Sequence, residues 1–169
     1  MDYLESKTCC FTGHRPEKCM GTEESIRSKL REAIADAESC GYDTFISGMA
    51  LGVDIWAAEE VLYLKENGAK LKLICAVPFQ GFERNRSEGQ QEEYRIILNK
   101  ADETVFISPN YERWCFHARD EWMVEHSSRV IAVFNGTPGG TKSTIQYANK
   151  MQRTVIMIED ADGQSTASG

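Results

Sequence analysis

Residues 43–77 read DTFISGMALGVDIWAAEEVLYLKENGAKLKLICAV. Asp43–Ser47 and Leu71–Val77 are short apolar runs of the kind that form strands. Between them, over Asp54–Asn67, Ile55, Ala58, Val61 and Leu62 recur at the spacing of one helix face, and Asn67-Gly68 supplies the glycine that stops a helix. Strand, helix and strand in this order form a crossover unit. Such a unit implies two parallel strands, joined by a connection that is right-handed in nearly every known case.

The same alternation extends in both directions. Lys7–Thr12, Glu103–Ser108, Arg129–Asn135 and Arg153–Glu159 read as further strands. Glu23–Cys40 carries Ile26, Leu30, Ala33, Ile34 and Ala37 on one helical face, and Gln90–Ala101 carries Tyr94, Ile97, Leu98 and Ala101. Phe116–Ser127 and Lys142–Gln152 complete the expected helices. The fold class implied is α/β, three layers deep, with a mostly parallel six-stranded sheet and helices on both faces. Residues 1–159 are expected to form a single domain, and residues 160–169, small and polar, a disordered tail.

The 169 residues can bury a full core without staples, and their ordinary composition excludes collagen, low-complexity disorder and coiled coil. The net charge of −7 argues against nucleic acid as a partner, because counterion release needs a basic face. The sequence has no apolar run long enough for a membrane helix and no signal-like start, so a cytosolic location is expected, without membrane association. The six cysteines then read as free thiols. His14, His117 and His126 lack metal-ligand spacing, so no metal site is expected.

In an open parallel sheet, ligands bind beyond the carboxyl ends of the strands, where the strand order reverses. The segments that follow the strands are therefore the candidate site. After the first strand, Gly13 allows a tight turn, and His14 and Arg15 bring positive or titratable groups to the sheet edge. After the second, Ser47, Gly48, Ala50 and Gly52 are small enough for backbone amides to approach a ligand at a helix start, while Asp54 reads first as a helix cap. After the fifth, Asn135-Gly-Thr-Pro-Gly139-Gly140-Thr141-Lys142-Ser143-Thr144 has the glycines and hydroxyls of a phosphate cradle. Gly136 to Ser143 falls short of a Walker A loop because Thr141 stands at its last glycine. Pro78–Arg86 combines aromatics with two arginines, a composition that stacks a base or closes the core. Arg119, in the fourth helix, suits bidentate phosphate contacts. Trp114 and Phe116 read as core or lid residues.

Taken in order, Thr12–Pro16, Ser47–Asp54, Pro78-Phe79, Arg119 with Met123-Val124, and Gly139–Thr144 resemble the YpsA-type family of the SLOG superfamily. The resemblance covers roughly residues 7–158. It implies a Rossmann-like fold and binding of nucleotides or nucleotide-derived ligands; no reaction is established for this branch. Two relatives suggest alternatives. LOG phosphoribohydrolases remove the base from a nucleoside 5′-monophosphate. Arg119, Met123 and Pro138-Gly139-Gly140 match their motif, but Lys142 replaces a glycine, and Ile145-Gln146 stand where LOG proteins carry glutamates. Gln146 cannot accept a proton, and Asp54, Glu83 or Glu88 would have to substitute. DNA-processing protein A shares the Ser47–Asp54 pattern and binds single-stranded DNA, for which this sequence offers no basic groove.

The reading that follows is a sensor or regulatory module for NAD, ADP-ribose or a mononucleotide, with nucleotide hydrolysis as the alternative. Gly139, Gly140, Thr141, Lys142 and Ser143 would hold phosphate with Arg119. Gly48 and Gly52 would admit the ligand, and Arg15 would reach over from the first loop with Gly13 and His14. Relatives often pair through their helices, so the resemblance allows a homodimer, although no exposed seam is identifiable in the sequence.

Overall fold

The computed structural model describes residues 4–161. Six strands, β1 (Thr8–Thr12), β2 (Thr44–Ser47), β3 (Lys72–Phe79), β4 (Glu103–Ser108), β5 (Arg129–Phe134) and β6 (Thr154–Glu159), alternate with α1 (Glu23–Ser39), α2 (Val53–Glu66), α3 (Glu88–Lys100), α4 (Cys115–Glu125) and α5 (Gly140–Lys150). The sheet order is β4-β3-β2-β1-β5-β6, and every pairing is parallel. The sheet is thus wholly rather than mostly parallel.

Successive side chains on a strand face opposite sides, and the two cores follow that period. Cys9, Phe11, Phe45, Leu73, Cys75, Ile131 and Val133 pack beneath α1, α2 and α3. Their neighbours Cys10, Ile46, Ile74, Ala76 and Val130 pack against Met123 and Val124 of α4 and Ala148 of α5. The helices divide three to two because the chain winds outward from β1 to β4, crosses back to β5 beside β1, and winds out again to β6. Right-handed crossovers in opposite directions place their helices on opposite faces. The reversal between β1 and β5 is what creates the site.

The helix starts follow local chemistry. Thr22 caps α1 by accepting from the Ser25 amide at 3.1 Å. Ser87 and Gln90 form a reciprocal capping box, so α3 begins at Glu88, two residues before the start expected from periodicity.

The expectation of a tail from residue 160 gives way at its first residue. Asp160 is buried; it accepts from the Met20 and Gly21 amides at 2.9 and 3.2 Å and from Asn135 Nδ2 at 2.7 Å. Burying a carboxylate is tolerable because three donors meet it. Residues 162–169 lie outside the described part of the chain.

Candidate functional site

The loops after β1 and β5 diverge at the strand reversal and leave a cleft of about 380 Å³ between them. Gly13, His14, Arg15 and Lys18 line it from the first loop, Pro138, Gly139, Gly140 and Thr141 from the fifth, and Asp54, Arg119 and Asp120 from α2 and α4. Phe82, Phe116 and Met123 also line it. Most of the residues anticipated from sequence therefore meet in one place.

Helix α5 opens onto this cleft without a side-chain cap: Gly139 precedes it at φ 144°, a conformation that favours glycine. The first amides of an α-helix have no intrahelical acceptor, and they carry the positive end of the helix dipole. Among the described residues, apart from chain neighbours and the backbone of α5 itself, no atom lies within 4 Å of a side chain built at Gly140, and at Gly139 the neighbour is Lys18 Nζ, at 3.9 Å. The ammonium thus sits beside the helix start. Lys18 was not singled out from sequence, because it reaches the cleft through a 3₁₀ turn, Pro16–Lys18, that no hydrophobic period announces. Proline at the first position of that turn was the available signal.

Lys142 and Ser143 do not line the cleft. Both are exposed, and the Ser143 amide donates to the Gly139 carbonyl at 3.1 Å within the helix. At about 3.6 residues per turn, only Thr141 of the three faces inward.

Arg119 is 7% exposed. Its Nε donates to Asp120 Oδ1 at 2.7 Å and its Nη1 to the Gly48 carbonyl at 2.5 Å. Asp120, the next residue in the chain, itself lines the cleft, and Gly48 brings its carbonyl from the loop after β2. Among the described residues Nη2 has no hydrogen-bond partner, so a buried guanidinium keeps donor capacity in the cleft wall.

Gly48 and Gly52 work differently from the ligand approach expected of them. A side chain at Gly48 would meet Arg119 Nη1 and Asp54 Oδ2, each at 2.9 Å; at Gly52 it would meet the His14 carbonyl oxygen at 2.5 Å. The missing side chains make room for protein groups that line the cleft. Ser47 is fully buried and holds the turn, with Oγ donating to the Asp54 carbonyl at 2.8 Å and accepting from the Met49 amide at 3.2 Å. It does not line the cleft.

Asp54 is not the cap expected from sequence: Gly52 precedes α2, the helix has no side-chain cap, and Asp54 lies inside its first turn. Oδ2 accepts from the Ala50 amide at 3.2 Å, and the carboxyl lines the cleft beside Arg119. Burial pushes its pKa up to about 6, against the lowering pull of the Arg119 guanidinium. His14 is a brace rather than a cation. Its Nε2 accepts from the Asn135 amide at 3.2 Å, which puts the proton on Nδ1, and burial lowers its pKa. It ties the loop after β1 to the loop after β5. The positive charges of the rim are Arg15 and Lys18, both exposed, with Glu17 lining the cleft between them.

Aromatic rings gather at the opposite end. Phe79, Phe82, Tyr111 and Phe116 pack edge to face with centroids 5.5–6.2 Å apart, and Phe82 and Phe116 line the cleft. Trp114 is 54% exposed and belongs to neither core nor cleft.

The YpsA family model (YspA SLOG family) matches residues 9–160. The chain belongs to the YspA SLOG family. Relatives include the uncharacterized SPbeta prophage-derived protein YoqJ of Bacillus subtilis, 31% identical over 63% of this chain and 69% of that protein. A UPF0398 protein of Brevibacillus brevis is 36% identical over 70% of this chain and 64% of its own length.

Among solved structures, DNA processing protein A of Streptococcus pneumoniae superposes with a TM-score of 0.64 at 17% identity, over 91% of this chain and 50% of that one. This YspA SLOG chain thus spans half the length of that neighbour. The Helicobacter pylori protein of the same name, which binds single-stranded DNA, superposes at 0.61 with 19% identity, over 98% and 72% of the two chains. The Chlamydomonas rheinhardtii Moco carrier protein superposes at 0.56 with 17% identity, over 96% and 81%. These likenesses establish a shared α/β, Rossmann-like fold. A DNA-binding neighbour leaves the charge-based argument against nucleic acid without support from the fold. Among the described residues no helix is long and apolar enough to cross a membrane.

Proposed function

We propose that this protein binds a phosphate-bearing nucleotide or nucleotide derivative in the cleft between the loops after β1 and β5, as a sensor or regulatory module. One observation carries the reading: an uncapped helix start, the Lys18 ammonium and the unpartnered Nη2 of Arg119 converge on one cavity. Backbone amides, a helix dipole and a guanidinium are the groups that recognise a phosphate. Membership in the YspA SLOG family supports the same class of ligand.

Thermal shift with AMP, ADP-ribose, NAD and inorganic phosphate tests it. A ligand present at a thousandfold its Kd adds about 4 kcal/mol, which raises the Tm of a chain this size by roughly 8–16 °C. Arg119→Ala should remove most of that rise. Lys142→Ala, on the outer side of α5, should keep it. A full rise in Arg119→Ala, or none with any of the four compounds, rejects the assignment.

A second reading, hydrolysis of the N-glycosidic bond of a nucleoside 5′-monophosphate, is favoured by Asp54. Gln146 is exposed and off the cleft, whereas Asp54 brings to the cleft a carboxylate able to take a proton from attacking water. Incubation with AMP and chromatography for free adenine tests this reading. Release that is lost in Asp54→Asn while AMP still binds supports turnover, and absence of adenine leaves the binding module.

A further inference from the structure

The cleft has two chemically distinct ends. At one lie Lys18, Gly139, Gly140 and Thr141; at the other lie the rings of Phe82 and Phe116. Phe82 follows β3 and Gly139 follows β5, and in the sheet order β3-β2-β1-β5 these strands are three steps apart. At the usual spacing of neighbouring strands, β3 and β5 lie about 14 Å apart, and the two groups of residues start from these separate strands. A free phosphate reaches only one of the two groups.

The rings are fixed before any ligand arrives. Phe116 packs edge to face with Phe79, Phe82 and Tyr111, and Arg86 lies over the Phe82 ring, 4.8 Å from its centroid. Arg86 is held in turn by its Nη2 donating to the Met49 carbonyl at 2.7 Å. Both phenylalanines are nonetheless only partly buried, and both line the cleft. Rigid, partly exposed aromatic surface offers a planar ring a stacking partner at little entropic cost. Asp54 and Asp120 also line the cleft and offer acceptors to the hydroxyls of a sugar. A volume of about 380 Å³ is near the lower bound for small-molecule sites, enough for one base and one sugar phosphate.

We infer that Phe82 and Phe116 form a base-stacking subsite, and that the cleft takes a single nucleoside 5′-phosphate lengthwise, its base on these rings and its phosphate at the start of α5. The inference rests on the anion-binding reading above, and it narrows the ligand to a mononucleotide.

Isothermal titration of the intact chain with AMP, ribose 5-phosphate, inorganic phosphate and NAD separates the two claims. AMP should bind at least about fivefold more tightly than ribose 5-phosphate, the scale of one base stacked on an aromatic ring. NAD should bind more weakly than AMP. The double variant Phe82→Leu, Phe116→Leu should lose the advantage of AMP and keep its affinity for ribose 5-phosphate. Should that variant fail to fold, the wild-type comparison still decides, together with upfield ring-current shifts of the adenine protons of bound AMP. Equal affinities for AMP and ribose 5-phosphate overturn the aromatic subsite and leave the anion cleft standing. Tighter binding of NAD than of AMP overturns the single-nucleotide limit. No binding of any of the four overturns the underlying reading as well. A single-stranded oligonucleotide that binds where AMP does not replaces both with a strand-binding surface.

Discussion

Gly13 has no room for a side chain: a Cβ there would lie 2.4–2.6 Å from three side-chain carbons of the buried Val53. Gly140, on the same cleft, has open space in the direction of a Cβ, and it lacks the positive φ that only glycine tolerates well. Glycines that look alike in sequence therefore answer to opposite physics. Gly13→Ala forces the loop after β1 away from α2 and should cost about 1–3 kcal/mol, the usual range for overpacking. Gly140→Ala should be neutral or stabilising by up to about 1 kcal/mol, since it restricts the unfolded chain and strains nothing. Thermal denaturation of the two variants checks this. Equal losses would contradict the packing assigned to Gly13.

At the scale of elements, the end of β6 governs the rim of the cleft. Asp160 accepts from the backbone at Met20 and Gly21, and Asn135 links it to the Lys18 carbonyl through a 2.8 Å hydrogen bond. Lys18 and the loop before α5 are thus held by a carboxylate one residue beyond a strand. Asp160→Ala leaves two amides and one side-chain nitrogen without their acceptor. The expected loss is about 3 kcal/mol, since bonds to charged groups contribute more than neutral ones. It should be accompanied by a smaller nucleotide-induced rise in Tm, because Lys18 loses its fixed position. Urea denaturation and thermal shift measure the two effects. A destabilised variant with undiminished ligand response would separate Lys18 from the site.

At the scale of the whole molecule, two carboxyls among the described residues titrate above their ordinary range in the folded state. Asp54 rises to about 6 through burial, and Glu93 rises to about 7 through burial and a hydrogen bond shared with Glu59. Between the unfolded and folded pKa values the native protein binds more protons than the unfolded chain, so stability falls as pH rises. The contribution of these groups is complete below about pH 4, the ordinary carboxylate range, and is lost through about pH 6–7. The double variant Asp54→Asn, Glu93→Gln should therefore gain stability relative to the wild type on going from pH 4.5 to 7.5. Urea midpoints at both pH values measure it. A constant difference would mean that neither carboxyl is held in a protonated-favouring environment.

The layered architecture was legible because hydrophobic period and turn chemistry are local. All six strands and five helices lie within a few residues of where the alternation puts them. The order of loops likewise pointed to the edge where Arg119, Gly139 and Gly140 meet. Three features depended on tertiary structure. Asp54 became a cleft carboxyl only once crossovers of both directions set α2 and α4 on either side of β1, bringing Arg119 to it. Lys18 entered the site through the contacts of Asn135 with Lys18 and of Asp160 with Met20 and Gly21, which join residues more than a hundred positions apart in sequence. Lys142 and Ser143 left it through the turn of α5. A sequence determines which residues lie near a strand's carboxyl end. Which of them face the same cavity depends on strand order and helix phase, and those are properties of the assembled core.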